Sequence, residues 1–99
     1  MLTVAPRMKI VQTGERSKVS KAPRYRLLLH NDDFNEDKYV LKILHKVIDD
    51  MTKEEAKDKM FEAHVQGISL LRVYPQEMAE SYCESIRLHG VHTSVESCS

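Results

Sequence analysis

Asn31-Asp32-Asp33 and His64 are the residues whose types and spacing best suit chemistry in this 99-residue chain. Carboxylates only accept hydrogen bonds when ionised, while amides and imidazoles both donate and accept. Met60 precedes His64 by four residues, so the two share one face of any helix that carries them. If that helix packs beside the segment holding Asn31-Asp32-Asp33, acid, amide and imidazole converge next to an apolar hole. Such a site suits a ligand with an ammonium group and an adjacent apolar side chain. Asp33 would accept charge-assisted bonds, and Asn31 and His64 would complete the shell. A free protein α-amine beside a bulky first residue has that shape. Taken singly, the same residues also read as a turn with a helix cap, and as an ordinary helical histidine.

Other chemistries find less support. Asp32, Asp33, His64, His89 and His92 are metal-ligand types, which raises a metal-dependent hydrolase as the enzyme alternative. No His-x-x-x-His or Glu-linked motif accompanies them, and His89 and His92 straddle Gly90. Three scattered glycines make no phosphate-binding loop, and no Ser or Cys nucleophile motif is present. We expect no catalysis, no cofactor and no bound metal.

The elements that must position these groups follow from periodicity. Tyr25 to His30 reads as a strand, and the Asx residues of Asn31 to Asn35 favour a turn. Tyr39, Val40, Ile43, Leu44, Val47 and Ile48 form the apolar stripe of a first helix. Thr52-Lys53-Glu54-Glu55 is a capping box opening a second helix, with Ala56, Met60 and Ala63 inward and Gly67 as its stop. Ile68 to Tyr74 is a second strand, and Pro75 suits the first turn of a third helix. Met78, Ala79, Tyr82, Cys83 and Ile86 are that helix's expected buried stripe. Gly90 ends it, and Val91 to Glu96 form a last strand. The order β-α-α-β-α-β predicts an α+β domain: a three-stranded antiparallel sheet with three helices on one face.

Residues 1–24 carry six basic groups and one acid, whereas residues 25–99 carry nine basic and fourteen acidic groups. Residues 1–24 read as a flexible extension and 25–99 as the core. A basic tail without aromatic residues gives little support to nucleic-acid binding. No apolar run reaches membrane-spanning length, so no membrane partner is expected. Cys83 and Cys98 make no disulfide framework and suit a reducing compartment.

The run Tyr25-Arg26-Leu27-Leu28-Leu29-His30-Asn31-Asp32-Asp33-Phe34 resembles the opening strand and Asn-Asp-Asp motif of the ClpS family. Met60-Phe61-Glu62-Ala63-His64-Val65-Gln66-Gly67 is similar to that family's second-helix signature, and the likeness runs from about Tyr25 to Glu96. His-Asn-Asp-Asp-Phe-Asn most resembles plant-plastid and cyanobacterial members. The resemblance implies an adaptor that binds N-terminal Phe, Tyr, Trp or Leu of other proteins and delivers them to a ClpA- or ClpC-type unfoldase. It implies that Asn31, Asp33 and His64 bind the α-amine, and that Asp32 steadies the following backbone, with Asn35 in the same loop. Val40, Met60, Ala63 and Val91 would line the side-chain pocket. Glu77 and Tyr82 would dock the unfoldase N-terminal domain, with Tyr82 standing where bacterial members often have Lys. Asp37 stands where such members carry a gating methionine, which implies a wider mouth.

The same element order also resembles the C-terminal domain of the ribosomal stalk protein, a non-enzymatic interaction module. Its Lys/Gly-rich helix has no counterpart here. A chain opening at Met1 without a long Ser/Arg-rich leader suits a bacterial cytoplasm, with the plastid stroma as the alternative for a trimmed protein.

Overall fold

The computed structural model describes residues 23–99. The extension expected over 1–24 lies outside the described residues except for its last two, and Arg24 already belongs to the first strand. The elements run β1 (Arg24–His30), α1 (Asp37–Val47), α2 (Lys53–Gln66), β2 (Ile68–Pro75), α3 (Gln76–Leu88) and β3 (Thr93–Ser97). This is the β-α-α-β-α-β order expected from periodicity. β1 is the central strand of a sheet ordered β2-β1-β3, and both pairings are antiparallel.

Alternation along β1 sets the two faces. Leu27 and Leu29 are buried, and their neighbours Leu28 and His30 are only partly covered. Leu27 and Leu29 meet Val40, Ile43 and Leu44 of α1, Ala56 and Ala63 of α2, and Ala79, Cys83 and Ile86 of α3 in one core. On the opposite face Ile68 and Leu70 remain exposed, so the helices cover one side of the sheet. The β1–β2 register shifts between Leu27 and Leu28. A bulge of that kind re-aims side chains on the bulged strand.

Local chemistry starts and stops the helices. The Thr52 hydroxyl accepts a hydrogen bond from the Glu55 N–H at 3.1 Å, capping α2. The reciprocal half of the expected capping box is absent, because the Glu55 carboxylate instead accepts from Arg72 Nη2 at 2.6 Å. Gly67 closes α2 at φ +90°, a conformation that favours glycine. Pro75 ends β2 as the cap residue before α3 rather than lying in its first turn.

α3 differs from expectation at one position. Ala79, Cys83 and Ile86 are buried and Tyr82 is half-buried, but Met78 is 45% exposed. Met78 is offset by one residue from the 79–83–86 row, which turns it roughly 100° away from the core. Cys83 is buried and Cys98 exposed, and both are free thiols.

Candidate functional site

The loop from Asn31 to Glu36 is built around one carboxylate. Asp32 Oδ1 accepts from the Phe34 N–H at 2.8 Å and the Asn35 N–H at 3.0 Å, and Oδ2 accepts from Asn35 Nδ2 at 2.6 Å. Asn35 Nδ2 also donates to the Gly90 carbonyl at 2.9 Å, tying the loop to the turn after α3. Burial alone raises the Asp32 pKa, but the bonds from Asn35 and Phe34 and the nearby His92 outweigh it, and the net direction is down. Asp32 therefore holds the turn as an anion. Phe34, by contrast, is 99% exposed and carries none of the packing.

The Asn31 N–H donates to the Gly67 carbonyl at 3.0 Å, which brings the end of α2 against the exit of β1. α2 approaches the sheet through two small buried residues, Ala56 and Ala63. The missing bulk at Ala63 leaves a hollow, lined by Leu29, His30, Asn31, Asp32, Asp37, Val40, Met60, Ala63 and His64. Val40 and Ala63 are buried, Met60 is half-buried, and Asn31 and His64 are exposed to solvent. The hollow has about 20 Å³ of free volume, room for roughly one water molecule. A benzyl-sized group exceeds this volume, so lining side chains such as Met60 or Asp37 would have to move to admit one. Met60 has three rotatable bonds, and Asp37 is exposed at the start of α1.

Six of the nine expected binding residues thus line the hollow: Asn31, Asp32, Val40, Met60, Ala63 and His64. Asp33 lies at its edge, where Asn31 Nδ2 donates to Asp33 Oδ1 at 3.4 Å. Among the described residues that long contact is the one bond to the exposed Asp33 carboxylate, which leaves it open to a cationic ligand. Asn35 serves Asp32 and Gly90 instead. Val91 is 1% exposed within the core and does not line the hollow.

His30 and Leu29 join the lining without having been singled out in the sequence. The His30 ring stacks on His92, centroids 4.3 Å apart, and its Nε2 lies 2.7 Å from Ser94 Oγ. Burial, then the neighbouring His92 charge, lowers the His30 pKa below the ordinary histidine value. The unfolded chain therefore takes up this proton at higher pH than the folded chain does. Stability should fall as pH drops below about 6.5 and should level off once folded His30 is itself protonated. Urea melts at pH 7.5 and 5.5 should show a smaller pH loss for His30→Gln than for the wild type. Equal losses would remove His30 from this effect.

The two expected docking residues sit on different faces of α3. Glu77 is exposed beside Pro23, Pro75, Gln76 and Glu80. Tyr82 lies edge-on to Tyr74 with ring centroids 5.0 Å apart. Five residues of separation place them roughly 140° apart around the helix. Among the described residues, no three His, Cys, Asp or Glu side chains are grouped to hold a metal ion. No described helix is long and apolar enough to cross a membrane.

Comparison with known proteins identifies the family. Residues 20–94 match the family described as "ATP-dependent Clp protease adaptor protein ClpS". The ClpS adapter of the cyanobacterium Synechococcus elongatus is 47% identical over 75 residues, covering 76% of this chain and 79% of that one. The chloroplastic CLPS1 adapter of Chlamydomonas reinhardtii is 44% identical over 82 residues, covering 83% of this chain. The chain spans half the length of that chloroplast relative. Among solved structures, Agrobacterium tumefaciens ClpS2 bound to L-phenylalaninamide superposes with a TM-score of 0.73 over 78% of this chain and 99% of that one. At 22% identity, that likeness establishes the fold. Sequence motifs, fold and matched relatives together place this chain in the ClpS family of Clp protease adaptors, with a plastid or cyanobacterial type of sequence.

Proposed function

We propose that this protein captures the free α-amine and bulky apolar first side chain of other proteins in the β1–α2 hollow. It then hands them to a ClpA- or ClpC-type ATP-driven unfoldase, with no catalysis of its own. The observation that carries this reading is the convergence of Asn31 and His64, with the open Asp33 carboxylate beside them, on an apolar floor of Leu29, Val40, Met60 and Ala63. The ligand of the Agrobacterium relative, L-phenylalaninamide, is a free amine next to a benzyl group. It presents the two features this hollow is suited to hold.

The roles divide by chemistry. Asp33 supplies the negative charge for the ammonium, and Asn31 and His64 supply further acceptors. Asp32, held by three bonds within its own loop and partnered by Asn35, steadies the substrate's backbone behind its first residue. Val40, Met60 and Ala63 receive the side chain, and Val91 belongs to the buried cluster that Val40 and Ala63 share. Glu77 and Tyr82 on α3 contact the unfoldase N-terminal domain from two sides of that helix. The working compartment on this reading is a bacterial cytoplasm or a plastid stroma, in keeping with the cyanobacterial and chloroplast relatives.

Peptides that differ only in their first residue test the proposal. Fluorescence anisotropy should find Phe, Tyr, Trp and Leu bound at about micromolar affinity, and Gly or Asp at least about tenfold more weakly. Equal affinity for every first residue would refute side-chain capture.

A further inference from the structure

α1 carries a second surface that the amine hollow does not use. Asp37 and Val40 line the hollow. Lys38, Leu41, Lys42, His45 and Lys46 turn roughly a third of the way around the same helix. With Lys53 from the first turn of α2, they line an open concavity of about 450 Å³.

Three features make this face unusual for the chain. First, residues 25–99 are acidic overall, yet four of their nine basic side chains meet here. Second, among the described residues the ion pairs engage Arg26, Lys59 and Arg72, and none of these four lysines. Third, much of the arrangement is unfavourable within the fold, although the dipole favours Lys46 in the last turn of α1. Lys38, Lys42 and Lys46 repeat every four residues, where like charges repel. Lys53 stands in the first turn of α2, where the helix dipole disfavours a cation. Leu41, only partly buried, and the lysine stems give the concavity an apolar floor.

We propose that this face docks an acidic amphipathic helix of a partner protein. Its carboxylates, spaced four residues apart, meet Lys38, Lys42 and Lys46, and an aliphatic side chain seats over Leu41. Charge complementarity of this kind relieves the lysine repulsion and selects the partner. Nucleic acid fits less well, because no Arg, Phe, Tyr or Trp lines the face to stack a base.

A fluorescent helical peptide with Glu residues four apart around one Leu tests this. Its N-terminus is acetylated, which excludes it from the amine hollow. It should bind saturably, and Lys42→Glu/Lys46→Glu should weaken it by about tenfold or more. Lys42→Gln/Lys46→Gln should have an intermediate effect. Replacing the probe's Leu with Ser should also weaken it, while a Phe-initiated peptide keeps its affinity for every variant. Any of four results would overturn the proposal: unchanged affinity in both lysine variants, equal binding of the Leu and Ser probes, tighter binding of an oligonucleotide of matched charge, or self-association of the protein that the lysine variants abolish.

Discussion

Acetylating the α-amine of a Phe-initiated peptide should weaken its binding by at least about 100-fold. Each hydrogen bond to a charged group is worth about 1.5–3 kcal/mol net, and acetylation removes two or more of them along with the charge. The Asp33 carboxylate, held by one 3.4 Å contact from Asn31, would then face a neutral amide. The side chain alone offers about 1.5–3 kcal/mol from burial, and ordering the peptide end consumes most of that. Isothermal titration of the paired peptides measures the difference. His64→Ala should weaken the free-amine peptide and leave the acetylated one unchanged, because it acts only through the amine.

Leu27→Ala should lower unfolding free energy by about 2–5 kcal/mol. Leu27 is fully buried on the central strand and packs into the cluster that all three helices share. Its cluster includes Leu44 on α1 and Ala79 and Ile86 on α3, also fully buried. Little can move in to fill the void, which places the change toward the costly end of the range. A domain of this size has about 5–15 kcal/mol in total, so the midpoint of thermal unfolding should fall by roughly 10 °C or more. Differential scanning calorimetry gives that shift. A change under about 1 kcal/mol would mean that the cluster relaxes freely.

The elements were legible where their signals are local. The stripe from Tyr39 to Ile48, the Thr52 cap and the Gly67 stop depend on neighbours a few residues away. The cap and the stop stand where the spacing put them. Of the stripe, Val40, Ile43, Leu44 and the C-cap residue Ile48 are buried, while Tyr39 is exposed. The convergence of Asn31 with His64 followed from one assumption, that α2 ends against the exit of β1. The Asn31-to-Gly67 backbone bond meets that assumption.

What the sequence did not reveal depends on partners distant in the chain. Glu55 was expected to complete its cap, but Arg72, seventeen residues on, offers a charged donor. His30 reads as the last residue of a strand until the segment leading into β3 lays His92 over its ring. Val91 enters the expected pocket through the family resemblance alone, and in the structure it is buried in the core cluster. The three bonds to Asp32 involve neighbours in sequence. Even so, Asx chemistry predicts a turn without saying which of two adjacent aspartates builds it.

Amide chemical-shift mapping by NMR, with phenylalaninamide titrated into the protein, tests the location of capture most directly. The largest shifts should fall at Asn31 to Asn35 and Met60 to His64, with Val40 moving as the side chain enters. Shifts confined to other surfaces, with those two segments silent at saturation, would contradict capture between β1 and α2.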